Sequence, residues 1–144
     1  MAITVKRITL WRKEVENRPG MLAEVLEPLK DAGADLRIVM GYRFPGNESR
    51  AALEMYPVTG AKQARSARAA GLEPTSIPTL LVEGDDRPAL GHAFARALAD
   101  AGIDLGFLVA QVVGRKYSAV FGFASEDDLK KGTAALKKAA SRRR

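Results

Sequence analysis

Few residues of this chain could carry out catalytic chemistry, and its composition excludes most catalytic and metal-binding arrangements. The sequence has no cysteine and a single histidine, His92. Thiolate nucleophiles, disulfides, and cysteine-ligated zinc or iron–sulfur clusters are therefore excluded, and His92 has no second histidine to share a metal. The serines lack the context of a nucleophile elbow, and no glycine-rich phosphate loop is present. We therefore predict no catalytic residue, no metal site, no cofactor and no enzymatic activity.

The binding chemistry that remains lies in two similar loops, residues 16–20 and 85–89, each placed just before an amphipathic segment. Asn17 or Asp86 could cap the helix that follows, and a proline in the first helical turn gives up only an amide that has no partner inside the helix. The other amides of that turn carry the positive end of the helix dipole and suit a carboxylate.

The loops therefore predict a site for a small charged metabolite that needs no catalytic group. The candidate ligand-binding residues are Asn17, Arg18, Pro19, Gly20 and Met21, with a weaker second copy at Asp86, Arg87, Pro88 and Ala89. The same pattern is equally compatible with a loop that only begins a helix, more so in the second copy.

The two loops belong to a longer internal repeat. Residues 16–36 and 85–105 share eight identities at a constant offset of 69 residues. A period near 70 is too long for a solenoid repeat and suits a small domain that needs a partner to complete its core.

Periodicity predicts the same order of elements in both halves. The first half has a strand at 6–13, a helix at 20–32, a strand beginning at Leu36, a strand at 50–56 and a helix at 60–70. The second half has a helix at 90–101, strands at 105–113 and 117–123, and a helix at 126–140. Gly33 and Gly102 are expected to end their helices because glycine accepts a positive φ.

This order predicts an α+β fold with two ferredoxin-like βαββαβ units in tandem, each an antiparallel sheet with helices on one face. The predicted domains are residues 1–74 and 75–144. The second unit has no fourth strand of its own, so residues 3–6 are the candidate to supply it. We expect two long strands, about 3–13 and 75–83, each to close one unit with its first part and open the other with its second.

The charge of the chain, formally +6, does not by itself predict a nucleic-acid partner. Three of the positive charges are the arginines at positions 142–144, and the other basic residues recur at helical spacing on solvated faces. No run of residues is apolar enough to span a membrane, and residues 1–7 lack the hydrophobic region of a signal peptide. We expect a cytoplasmic protein that binds neither membrane nor nucleic acid.

These features together resemble the ACT domain, a βαββαβ module that binds amino acids and regulates metabolism. The resemblance lies in residues 16–22, with their acidic-Asn-Arg-Pro-Gly sequence, and in residues 32–36 at the next strand. It covers nearly the whole chain as two domains. The second copy departs from it at Asp86, which replaces the asparagine, and at Ala89, which replaces the glycine.

The resemblance implies an allosteric sensor that binds an amino acid or a similar small zwitterion and acts on an enzyme or another partner, as a homodimer. Two alternatives stay open. One is a regulatory subunit of a branched-chain amino-acid biosynthetic enzyme. The other is an RNA-binding module, because the RNA-recognition motif has the same element order. In that motif aromatic side chains stack on bases, and residues 115–123 come closest to its pattern but have Lys116 and Ala119 at two key positions.

Overall fold

The computed structural model describes residues 2–142 and confirms the predicted α+β fold. Its described elements form two antiparallel four-stranded sheets accompanied by four helices. In chain order they are β1 (Thr4–Ile8), β2 (Trp11–Glu16), α1 (Met21–Asp31), β3 (Ile38–Phe44), β4 (Asn47–Tyr56), α2 (Gly60–Ala69), β5 (Glu73–Pro74), β6 (Thr79–Asp85), α3 (Leu90–Asp100), β7 (Leu105–Val113), β8 (Lys116–Phe123) and α4 (Glu126–Ser141).

The chain divides into two compact units. Strand β1 occurs first in the sequence but belongs to the second unit. The first unit is residues 9–76, and the second unit contains residues 77–142 together with residues 2–8. The boundary lies between residues 76 and 77. Strand β1 includes most of the segment, residues 3–6, that was proposed as the fourth strand of the second unit, and it pairs antiparallel with β6 from Thr4 opposite Glu83 to Ile8 opposite Thr79. The side chains of Ile3 and Val5 pack against the core of the second unit, which explains this placement.

The expectation of two continuous long strands, at about residues 3–13 and 75–83, was wrong. β1 and β2 are separated by Thr9 and Leu10, β5 and β6 are separated by residues 75–78, and the two strands of each pair belong to different sheets. The backbone carbonyl of Leu10 accepts a hydrogen bond from the amide of Thr75 at 2.8 Å, outside the strand ladder.

The first unit has a sheet in the order β3-β4-β2-β5, with α1 and α2 packed against one face. Its core combines alternate residues of β2 and β4 with the buried stripe of each helix. The buried members are Trp11, Val15, Val25, Leu29, Ala51, Leu53, Met55, Ala67 and Leu72. Leu22 was expected in this stripe but is 43% exposed.

The second unit has a sheet in the order β1-β6-β8-β7 and a core rich in aromatic residues. Phe94 of α3 is fully buried and makes edge-to-face contacts with Tyr117, at 5.5 Å between ring centroids, and with Phe121, at 6.4 Å. Helix α4 begins at a serine cap, since the Ser125 hydroxyl accepts a hydrogen bond from the amide of Asp128 at 3.1 Å.

A glycine follows the end of α1 and of α3, as the sequence predicted. Gly33 has φ +80° and its amide donates to the carbonyl of Lys30, while Gly102 has φ +72° and donates to Ala99. Both residues follow the last turn of their helix in the left-handed conformation that glycine adopts without steric cost. None of the helices in the described part of the chain has the length and apolar character needed to cross a membrane.

Candidate functional site

The loop between β2 and α1 ends in a tight turn that begins the helix. The amide of Met21 donates to the carbonyl of Arg18 at 3.3 Å, and Gly20 has φ +87° and ψ −11°. These are the backbone angles of the third residue of a type II turn, where glycine is favoured, and Pro19 occupies the second position, where proline is favoured. The Arg-Pro-Gly sequence therefore sets the direction in which α1 leaves the sheet.

The second loop makes the same turn with alanine in the position of the glycine. The amide of Leu90 donates to the carbonyl of Arg87 at 3.2 Å, and Ala89 has φ +64°. Among described residues other than glycine, Ala89 alone has a positive φ. Because a Cβ atom is crowded in this conformation, the second turn is strained by about 1–2 kcal/mol relative to the first.

Replacing Ala89 with glycine and replacing Gly20 with alanine are expected to change the free energy of unfolding in opposite directions. Ala89→Gly should raise the free energy of unfolding by about 1 kcal/mol because it removes the crowded Cβ, and Gly20→Ala should lower it by about the same amount. Urea denaturation of the two variants beside the wild type measures both changes. A gain in stability on Gly20→Ala would contradict the backbone assignment.

The prediction that Asn17 or Asp86 caps a helix was wrong. The N-cap residues are Gly20 and Ala89, and no side chain caps either helix. Asn17 instead donates its side-chain amide to the carbonyl of Glu48 at 2.9 Å, and its backbone amide donates to Ser49 at 2.8 Å. The asparagine therefore attaches the loop to the start of β4.

The absence of a side-chain cap leaves the first turn of α1 with donors that point out of the helix. In any α-helix the first amides have no acceptor within the helix, and here those of Leu22 and Ala23 follow the turn closed by Met21. They carry the partial positive charge of the helix end.

A cleft of about 500 Å³ lies beside this turn, within the first unit. Of the predicted residues, Asn17, Arg18 and Met21 line the cleft, whereas Pro19 and Gly20 form the turn without lining it. The remaining wall comes from Val15 and Glu16 of β2, Leu22 of α1, Gly41, Tyr42 and Arg43 of β3, and Ala51 and Leu53 of β4.

Charges of both signs surround the cleft. Arg18 lies 2.9 Å from the Glu24 carboxylate and 3.7 Å from that of Glu16. The hydrogen bond to Glu24 raises the pKa of the Arg18 guanidinium and lowers the pKa of Glu24. Arg43 forms no ion pair with any residue in the described range 2–142. The cleft can therefore attract a carboxylate while Glu16 offers an acceptor for an ammonium group.

Residues of β3 were missing from the predicted ligand-binding set. Cross-strand pairing places Arg43 opposite Ala51, which is also opposite Val15, so these three residues share one face of the sheet. Tyr42 alternates to the other face, where its hydroxyl donates to the Glu54 carboxylate at 2.8 Å. Burial, together with this hydrogen bond, raises the pKa of Tyr42. The sequence predicted a strand here that could pair with β4, but only the strand register identifies which residues of β3 reach the loop.

The equivalent region of the second unit is filled by side chains. Tyr117 corresponds to Ala51, because Tyr117 lies opposite Gly84 and Val112 as Ala51 lies opposite Val15 and Arg43. Phe94 similarly corresponds to Val25 at the offset of 69 residues. Tyr117, Phe94 and Leu90 are all buried. Two large rings thus occupy positions where the first unit has alanine and valine.

The second predicted loop also uses its arginine differently. Arg87 donates to the carbonyls of Ala139 at 3.0 Å and Ala140 at 3.2 Å, at the C-terminal end of α4, where a cation is favourable. Asp86 attaches to the β7–β8 turn, because its amide donates to the carbonyl of Arg115 at 2.8 Å. Pro88 and Ala89 are exposed in the turn itself.

No group of three or more metal-ligating side chains occurs within residues 2–142. His92 is exposed on α3. The aromatic residues of the segment that came closest to an RNA-recognition motif, Tyr117, Phe121 and Phe123, are buried in the core and do not present their rings for base stacking.

No protein-family model matches this chain, and no curated protein matches it in sequence. Solved structures do match it along nearly its whole length. Protein BT0572 from Bacteroides thetaiotaomicron has a TM-score of 0.74 with 16% identity, over 93% of this chain and 89% of its own. The ligand-free regulatory subunit of aspartate kinase from Thermus thermophilus has a TM-score of 0.63 with 13% identity, over 96% and 97% of the two chains.

An aspartate kinase from Clostridium acetobutylicum, described as an allosteric enzyme, has a TM-score of 0.57 with 13% identity and matches 96% of this chain over 34% of its own. At such low identity the similarity establishes the fold. The fold implied by the resemblance to tandem ACT domains is thus confirmed, and one of the named neighbours is a regulatory subunit.

Proposed function

We propose that this protein is a regulatory protein without catalytic activity that binds an amino acid or a similar small zwitterion in the cleft of the first unit. The observation that supports this proposal best is the open cleft beside the uncapped first turn of α1. Helix amides without internal acceptors bind carboxylates through hydrogen bonds and the helix dipole. The fold shared with regulatory subunits of aspartate kinase supports the regulatory role.

The two ends of a zwitterion would be held by different parts of the cleft. Its carboxylate would accept a hydrogen bond from the amide of Leu22, which lines the cleft, with Arg43 as a nearby cation. Its ammonium group would approach the Glu16 carboxylate. An apolar side chain would contact Met21 and Leu53, which also line the cleft.

The first loop is proposed as the site of binding, with the second loop as the weaker candidate. Side chains fill the region of the second unit that corresponds to the cleft, and Arg87 is engaged with the end of α4. A ligand at Asp86, Arg87, Pro88 and Ala89 would therefore have to displace packed residues.

The chain is proposed to act in the cytoplasm, as a homodimer, on an enzyme partner. A regulatory subunit of a branched-chain amino-acid biosynthetic enzyme is the alternative within the same fold. The aspartate kinase neighbours support an enzyme partner in general, because one of them is a regulatory subunit of that enzyme. Co-purification of this chain with a larger catalytic subunit would identify which enzyme it serves.

Thermal denaturation in the presence of each of the twenty amino acids tests the ligand proposal. One or a few amino acids should raise the melting temperature. Asn17→Ala should abolish this rise because the loop loses its hydrogen bond to Glu48, whereas Asp86→Ala, the matched change in the second loop, should leave it intact. A full response in Asn17→Ala together with a lost response in Asp86→Ala would move the site to the second loop.

A further inference from the structure

A groove of about 360 Å³ lies between α3 and α4 of the second unit. In the described part of the chain its apolar lining is entirely alanine: Ala93 and Ala97 of α3, Ala101 just after that helix, and Ala135 and Ala139 of α4. These alanines recur every four residues, so they form one row along each helix. Because alanine carries only a methyl group, the space between the two rows stays open to side chains from another molecule.

The groove is specific to the second unit. At the offset of 69 residues, Ala93 and Ala97 correspond to Glu24 and Pro28 of α1. Helix α4 has 16 residues and α2 has 10, so residues 136–141 extend α4 beyond the length of α2. The alanine rows and the additional length of α4 thus arose in one copy of the repeat only.

The charged residues that line the groove leave it with a net positive charge. They are His92, Arg96 and Asp100 of α3, Lys138 of α4, and Arg142. Arg96 donates to the Asp100 carboxylate at 3.0 Å, so these two charges compensate each other. Lys138 and Arg142 are exposed and form no ion pair with any residue in the range 2–142.

The two cations without an ion pair lie at one end of the groove. Arg87, which precedes α3, donates to two carbonyls in the last turn of α4, so the start of α3 lies beside the end of α4. His92, in the first turn of α3, is therefore at the same end as Lys138 and Arg142. Residues 129–144 contain seven basic residues and no acidic one, so this segment itself supplies no carboxylate to them.

We propose that this groove is the docking surface for an acidic amphipathic helix of a partner protein. Small apolar side chains of that helix pack on the alanine floor, and its carboxylates pair with Lys138 and Arg142. This inference rests on the proposed regulatory action through a partner, and it names the surface and the chemistry of that partner. It does not depend on the ligand cleft, which lies in the first unit.

The shape of the groove fits a helix better than a nucleic acid. Helices pack at interaxial distances of about 8–10 Å, and small residues at the contact allow the shorter distances. The row from Ala93 to Ala101 is about 12 Å long, which is about two turns of a docked helix. None of the lining residues in the described range is Phe, Tyr or Trp, the side chains on which bases stack best.

A designed peptide tests the groove with the full chain. The probe is a fluorescein-labelled, N-acetylated peptide of about 20 residues, with alanine and leucine on one helical face and glutamate on the other. Its fluorescence anisotropy should show saturable binding, which should weaken between about 50 and about 200 mM salt because exposed ion pairs are screened. The same peptide with lysine in place of every glutamate should not bind.

Charge reversal shows whether binding takes place in the groove. Lys138→Glu/Arg142→Glu is expected to weaken binding of the acidic peptide by about 10-fold or more, because attraction becomes repulsion. Lys130→Glu/Lys137→Glu makes the same change in net charge on α4 at residues that do not line the groove, and is the matched control. It should weaken binding by less than about 3-fold, because charges that contact no partner group are largely screened.

Filling the groove gives a second test that leaves its charge unchanged. Ala135→Tyr places a ring on the floor and should weaken binding by about 10-fold or more, which corresponds to about 1.4 kcal/mol. Ala134→Tyr adds the same ring to the neighbouring exposed position, outside the groove, and should bind as the wild type does. Circular dichroism checks that all four variants are folded.

The proposal would be overturned if the acidic peptide failed to bind saturably, or if each variant bound as its matched control does. Tighter binding of a uridine oligonucleotide than of the peptide, lost in Lys138→Glu/Arg142→Glu, would also overturn it and would assign the groove to RNA. The melting-temperature rise with an amino acid should persist in all four variants. The absence of that rise in the wild type would remove the ligand proposal and leave the docking surface standing.

Discussion

Replacing Phe94 with alanine is expected to lower the free energy of unfolding of the second unit by about 3–5 kcal/mol. The side chain is fully buried and its ring contacts the rings of Tyr117 and Phe121. Alanine would remove the apolar burial and both edge-to-face contacts, and would leave a cavity that rigid α3 and β8 could close only in part.

Urea denaturation followed by far-ultraviolet circular dichroism measures this loss. Tryptophan fluorescence would not report on the second unit, because Trp11 lies in the first unit. Val113→Ala, which truncates a largely exposed side chain, should change the unfolding free energy by less than about 0.5 kcal/mol. A Phe94→Ala variant as stable as the wild type would show that the second unit is not held together by this aromatic cluster.

Filling the cleft of the first unit is expected to abolish ligand binding. Ala51→Tyr introduces at the cleft wall the side chain that the second unit has at the corresponding position. A ligand at 100 times its dissociation constant stabilises the folded protein by about 2.7 kcal/mol, and the variant should lose this stabilisation because the ring occupies the ligand's space.

Thermal denaturation with and without the amino acid found in the screen measures the effect. Lys62→Tyr adds the same side chain to the exposed surface of α2 and should keep the full ligand response. An Ala51→Tyr protein that is folded and still fully stabilised by the amino acid would place the ligand outside this cleft.

These two predictions depend on one difference between the halves. At corresponding positions the first unit has Val25 and Ala51, and the second has Phe94 and Tyr117. Ala51 lines the cleft next to α1, whereas Phe94 and Tyr117 belong to the packed core next to α3. One duplicated fold thus carries an open site in one copy and an aromatic cluster in the other.

The cleft could be predicted only in part from the sequence. Asn17, Arg18 and Met21 were identified because the Arg-Pro-Gly turn and the apolar stripe after it are local patterns. The role of Asn17 was misjudged, since a cap was expected and the side chain bonds to Glu48, 31 residues away. Arg87 was identified by its repetition, yet its contact is with the end of α4, more than 50 residues away.

The sequence by itself determined the helices, most of the strands and their repetition, because hydrophobic periods of 2 and 3.6 and glycine at helix ends act over a few neighbouring residues. Only the tertiary structure decided the register of β1 on β6, the approach of Arg43 and Ala51 to the loop of Asn17, and the uncovered edge of β7. These features depend on strand order and register, which bring together residues far apart in the chain and which no local pattern specifies.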